Sequence, residues 1–147
     1  MKKSLLFVFL LLILVSCKKE KEKETTDDFK VGKVEKTPLQ KSIAVGKNIY
    51  TKKCAQCHLA TGKGIPKMYP PLRGSNWLTE KRTESIHAVK YGLNGEITVN
   101  NKKFDNVMIP VGLTDQEVVD VLNYVMNSWG NKQEKMVSLE EVKQVNK

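Results

Sequence analysis

Residues 54–58 read CAQCH. Two cysteines three apart, with a histidine directly after the second, form a cluster of soft donors around which the rest of the chain must be built. Three groups compete for such a cluster: a zinc ion, a dithiol redox couple and a covalently attached haem. Zinc takes four ligands, usually from two pairs, and outside this run and the N-terminal Cys17 only His87 and the methionines offer nitrogen or sulfur. A thioredoxin-like dithiol opens a helix after a strand of a parallel sheet. Here the pair follows a helical stretch, and no parallel-sheet pattern is visible. Cysteines at i and i+3 lie on one side of a helical turn, so each sulfur can reach one of two adjacent haem vinyl groups, and the next histidine falls beneath the iron. The spacing favours one covalent haem c on Cys54 and Cys57 with His58 as axial ligand, over zinc and the dithiol.

The N-terminus bears on that choice. Lys2 and Lys3 precede an apolar run from Leu5 to Val15, well short of the roughly 20 residues that cross a bilayer. Residues 1–16 therefore read as a signal peptide. The run ends in LVSC, which resembles the lipobox of bacterial lipoproteins. That resemblance implies cleavage before Cys17 and lipidation of its thiol. It places the mature chain in the cell envelope, anchored to a bacterial membrane and facing the periplasm or cell surface. Of three cysteines, Cys54 and Cys57 remain. In an oxidising compartment an unprotected dithiol is oxidised, whereas thioether bonds would protect both sulfurs.

With 147 residues, 40% of them hydrophobic, the chain has room for one modest domain. From Cys17 to Lys41 it is rich in Lys and Glu and cannot bury a core, so it reads as a flexible tether with a reach of roughly 27 Å root-mean-square. A helix is expected over Ser42–Lys53, with Ile43, Gly46, Ile49 and Tyr50 on one side. The Gly- and Pro-rich stretch after His58 reads as loop, and a second helix over Glu80–Tyr91, with Ile86 and Val89 inward, stops at Gly92. EITVNNKKF alternates around Asn100 and Asn101, which tolerate the left-handed turn of a small hairpin. In LTDQEVVDVLNYVMNSWG, Thr114 and Glu117 form a capping box ahead of an apolar stripe of Val118, Val121, Leu122, Val125 and Trp129. Residues 131–147 read as a polar extension in which Ser138 and Glu141 cap one short helix. The fold class is all-α with a small hairpin, and the domain spans 42–130.

A six-coordinate haem needs a second axial ligand, commonly a methionine sulfur. Met126 sits inside the last long helix, Met136 in the polar tail, and Met68 only ten residues after His58. Met108, in a loop about fifty residues on and held by Pro110, is placed to reach the opposite face. His87 reads as a partly exposed helix residue.

Taken together, these features resemble the class I cytochrome c family over residues 42–130. That family has a glycine and an aromatic four apart on its first helix, here Gly46 and Tyr50. The haem motif, a P-x-L loop, a methionine loop and a last helix with an aromatic against that glycine follow. This chain has Pro70-Pro71-Leu72, Met108 and Tyr124 in the matching places. The resemblance implies an all-α cytochrome c fold, a Pro70 carbonyl that accepts from His58 Nδ1, and haem contacts from Arg73 and Trp77. YPPLRGSNWL, GEITVNNKKFDNVM and VLNYVMNSWGN are similar to monohaem cytochromes that serve copper nitrite reductases, haem-copper oxidases and quinoprotein dehydrogenases. Two departures are Ile109 between Met108 and Pro110, and Asn100-Asn101 where Asn-Gly is commoner. The resemblance implies an electron carrier, not an enzyme, with redox proteins as partners. The alternatives are a haem sensor or small peroxidase, and a fixed subunit of a larger oxidoreductase. With a net charge of +9, Lys52, Lys53, Lys63, Lys67 and Arg73 could form a rim that steers an acidic partner. No basic–aromatic motif speaks for nucleic acid, and nothing marks a small-molecule substrate pocket.

Overall fold

Thr37-Pro38-Leu39-Gln40 starts the first helix of the computed structural model, which describes residues 35–133 and 135–147. The signal peptide, Cys17 and the tether as far as residue 34 lie outside them. Among the described residues there are six helices and one hairpin, in the order α1 (Pro38–Lys53), α2 (Ala55–His58), α3 (Asn76–Glu80), α4 (Arg82–Tyr91), β1 (Ile97–Val99), β2 (Lys102–Phe104), α5 (Asp115–Val125) and α6 (Leu139–Gln144).

Helix α1 begins four residues before the expected Ser42. Gln40 N–H donates to Thr37 Oγ1 at 3.2 Å, Thr37 N–H donates to Gln40 Oε1 at 2.9 Å, and Pro38 fills the first helical position. A reciprocal cap of this kind can start a helix on an exposed polar turn that the apolar period does not reveal. Helix α3 is a short turn between the expected loop and the second expected helix, which itself begins at Arg82, two residues after Glu80.

Helices α1 and α5 cross at Gly46. A β-carbon there would collide with the Asp120 carbonyl and approach Tyr124 Cβ to 2.9 Å, so glycine sets the closeness of the crossing. Below it a buried polar network joins the two helices: Ser42 Oγ donates to Asp120 Oδ1, and Asn123 Nδ2 donates to Ser42 Oγ at 3.0 Å. The expected capping box of α5 is present, with Glu117 N–H donating to Thr114 Oγ1 at 3.3 Å and Thr114 N–H to Glu117 Oε2 at 2.9 Å. Val118, Val121, Leu122 and Val125 are all buried, as their period requires.

Trp129 departs from that stripe. The helix ends at Val125, and Trp129 takes φ 55°, which swings its indole back over Gly62. There it packs with Tyr50 and Tyr124 at centroid distances of 5.0 and 5.5 Å. In the hairpin Ile97 pairs with Phe104 and Val99 with Lys102. Asn100 and Asn101, at φ 49° and 60°, make its left-handed turn. Asn100 also exchanges two bonds with Asn76 at 2.8 and 2.9 Å, which ties the turn to the start of α3.

The segment read as a polar extension is partly core. Val137 and Val142 are fully buried and Val145 nearly so, with α6 capped by Ser138. Three valines spaced by polar residues in a tail of mixed charge make too weak a periodic signal to expose this packing in the sequence.

Candidate haem-binding site

The last turn of α1 runs into α2 through Cys54, whose carbonyl accepts from both Cys57 N–H at 3.2 Å and His58 N–H at 3.0 Å. Both cysteines and the histidine are thereby set on one tight turn. Leu59 then takes φ 60° and breaks the helix. Two aromatic donors hold the departing chain: Tyr50 O–H to the Leu59 carbonyl at 2.7 Å, and Trp129 Nε1 to the Ala60 carbonyl at 3.2 Å.

His58 Nδ1 donates to the Pro70 carbonyl at 3.0 Å. A carbonyl has no hydrogen to give, so Nδ1 carries the ring proton and Nε2 keeps its lone pair, the form a metal binds. Gly64 makes the approach feasible, because its φ of 64° brings it against the Pro70 carbonyl, and a side chain there would clash at 2.6 Å. Burial lowers the pKa of His58, while the Pro70 bond opposes the shift. The ring is therefore neutral at physiological pH.

Cys54 and His58 line one apolar cleft. Tyr50 from α1, Pro70 and Leu72 from the loop, and Trp77 and Leu78 from α3 line it as well. Its other walls come from Ser85, Ala88 and Val89 of α4, Ile97 and Val99 of β1, and Val121, Leu122 and Val125 of α5. Met108 lies on the same lining. Its loop is fixed by an antiparallel bridge in which Leu93 and Met108 exchange two backbone bonds of 2.8 Å. Gly92, at φ 85°, lets α4 turn tightly enough to make that bridge, since a β-carbon would sit 2.5 Å from the Met108 carbonyl. From the sequence Gly92 reads as a helix stop, and its part in holding Met108 comes from the fold.

Of the other methionines, Met68 is exposed, while Met126 is buried against Arg82 Nη1, and neither lines the cleft. His87 stacks on Tyr91 at 5.3 Å and does not line it either. Cys57 is half-buried on the same turn as Cys54 but is not part of the lining. Arg73, expected as a cofactor contact, has an exposed side chain outside the lining; its backbone N–H donates to the Gly62 carbonyl.

The chemistry of this donor set suits haem c. The lining is almost wholly apolar, with few polar groups among it, as the walls of cofactor sites are. A redox dithiol needs a thiol that ionises readily, whereas burial, with Cys57 adding, pushes the Cys54 thiol up to about 11. A zinc site needs four converging ligands, and among the described residues no three His, Cys, Asp or Glu side chains converge.

A helical shell around a C-x-x-C-H turn and an apolar cleft defines a monohaem electron carrier. The chain belongs to the cytochrome c family, whose model, described as Cytochrome c, matches residues 43–129. It is 37% identical over 111 residues to cytochrome c-552 of Thermus thermophilus, covering 69% of this chain and 84% of that protein. It is also 35% identical over 91 residues to the cytochrome c subunit of alcohol dehydrogenase (quinone) from Gluconacetobacter polyoxogenes, covering 59% of this chain and 19% of that subunit. With the fructose dehydrogenase cytochrome subunit of Gluconobacter japonicus it shares 33% identity over 107 residues, 68% of this chain and 21% of that one. The chain thus spans about a fifth of these dehydrogenase subunits. As a member of the family it carries covalently bound haem c, and its function is electron transfer rather than catalysis.

Proposed function

We propose that the protein is a lipid-tethered cytochrome c that relays single electrons between a dehydrogenase or respiratory oxidoreductase and a second redox protein. In this reading Cys54 and Cys57 would bind the haem through their sulfurs, and His58 and Met108 would be the ligands of its iron. When bound, haem supplies the one-electron iron couple.

The chain's residues do the rest. Pro70 orients His58 and keeps its Nε2 unprotonated. The Leu93 bridge holds the Met108 thioether in place, and a methionine ligand raises the potential. The apolar walls exclude water and so disfavour the more highly charged oxidised state. The observation that carries the reading is that His58 and Met108, fifty residues apart in sequence, line one cleft.

The kind of partner follows from the relatives and from the surface. Relatives of this domain are named as cytochrome subunits of alcohol and fructose dehydrogenases. Val107 and Ile109, 58% and 69% exposed, flank Met108 and offer apolar contact beside the cleft, and the basic balance of the chain favours an acidic partner. The LVSC sequence supports acylation of Cys17 and a place in the cell envelope.

Met108→Ala tests the ligand assignment. In the haem-loaded protein it should lower the reduction potential and let the reduced form bind carbon monoxide, which the parent should not do. An unchanged spectrum and potential would remove Met108 from the iron. Ready carbon monoxide binding by the parent would favour a sensor or peroxidase instead.

A further inference from the structure

The family match ends at residue 129, yet the chain continues into a segment that grips one particular helix. We propose that residues 135–147 are a brace that positions α4 and, through α4, the Met108 loop. This rests on the assignment of Met108 as axial ligand.

Arg82, in the first turn of α4, makes a two-pronged ion pair with Glu141. Its Nε meets Oε1, and its Nη2 donates to Oε2 at 3.0 Å. At the far end of the same helix Lys90 Nζ donates to the Val142 carbonyl at 3.0 Å and the Val145 carbonyl at 3.4 Å, and Tyr91 O–H donates to the Val145 carbonyl at 3.2 Å. The brace is itself fixed to α5, where Asn123 accepts from Val137 N–H at 2.8 Å and donates to the Val137 carbonyl at 3.1 Å. Helix α4 is thus held at both ends.

Between those two anchors, Ser85, Ala88 and Val89 of the same helix line the haem cleft. Directly after Tyr91 come Gly92 and Leu93, and Leu93 holds Met108 by its paired backbone bonds. A shift of α4 along its axis would carry Leu93 with it and draw Met108 away from its place on the cleft wall. The Met loop is otherwise secured by few contacts: Val107, Ile109 and Pro110 are all exposed. Arg82 and Glu141 are accordingly positioning residues, since neither is part of the cleft lining.

The test uses the full-length haem-loaded protein in four forms: parent, Arg82→Ala, Glu141→Ala, and the exchange Arg82→Glu with Glu141→Arg. Carbon monoxide uptake by the reduced protein, the reduction potential and the thermal midpoint are measured on each. Thr37→Ala, which removes the cap of α1 far from Met108 in sequence, controls for general loss of stability. The expected result is a several-fold rise in carbon monoxide uptake and a lower potential in both single variants, recovery toward the parent in the exchange, and no rise in Thr37→Ala. Single variants that lose thermal stability as Thr37→Ala does, while keeping parental uptake and potential, would reduce the segment to packing and overturn the proposal. Failure of Met108→Ala itself to admit carbon monoxide would instead sink the ligand assignment on which the brace depends.

Discussion

A single hydrogen separates Gly46 from a clash with backbone, because the group that a β-carbon would meet is the Asp120 carbonyl of α5. Backbone cannot swing aside as a long side chain can, so the two helices would have to part. Overpacking of a tight core costs about 1–3 kcal/mol, and Gly46→Ala should fall at or beyond the upper end. A urea midpoint lowered by less than Thr37→Ala lowers it would show that the crossing can widen. Tyr50 and Trp129 act at the same scale by different means: each spends its polar atom on a carbonyl of the chain leaving His58, and both rings pack in one aromatic cluster. The Gly46–Tyr50 pair was legible through family resemblance, and the C-x-x-C-H turn through spacing alone. The Gly64–Pro70 and Gly92–Met108 approaches were not, because a glycine in sequence tells of freedom and not of what comes close to it.

Elements whose signals are local were the most legible. Helix α5 announced its start with Thr114 and Glu117 and its buried face with the valine period, and the hairpin announced its turn with two asparagines. Both residues of that turn lie at positive φ, but only Asn100 makes side-chain bonds, to Asn76 and Gly74. Asn101→Gly should therefore be neutral or slightly stabilising, while Asn101→Val should cost about 1–2 kcal/mol, the left-handed penalty that asparagine largely escapes and a β-branched residue does not. Equal urea midpoints for the two variants would mean that the turn relaxes to another geometry. Illegible elements are those whose order comes from distant partners. The extension shows few apolar residues, and what holds α6 is Arg82, Lys90 and Tyr91, more than fifty residues earlier. The first turn of α1 is a different case, since Thr37-Pro38-Leu39-Gln40 carried a readable cap that the surrounding charge obscured.

At the scale of the whole molecule, the Arg82–Glu141 pair makes stability depend on pH. Arg82 holds the Glu141 carboxyl below its usual range, so its folded pKa is depressed. The stability it contributes is present above the unfolded value of about 4.3 and is lost as pH falls through the folded one. The urea midpoint of the parent should exceed that of Glu141→Gln at pH 6, by an equivalent of about 1 kcal/mol, and the gap should close by pH 3. A gap that persists in acid would mean that the contact is not ionic. Attachment of the molecule has its own test: Cys17→Ser should move the protein from the membrane fraction to the soluble one with its haem spectrum intact, and retention would remove lipidation from the proposal. The crossing of α1 and α5 has a further consequence, for biosynthesis. Ser42 and Asp120 are 78 residues apart, and no shorter piece of chain supplies both sides of the core. A chain emerging from a ribosome or a pore cannot close until α5 has followed, seconds after α1 at usual synthesis rates of about 5–20 residues per second. Through that interval the turn bearing Cys54 and Cys57 stays open to whatever must reach its sulfurs, and the length of the chain itself keeps the time.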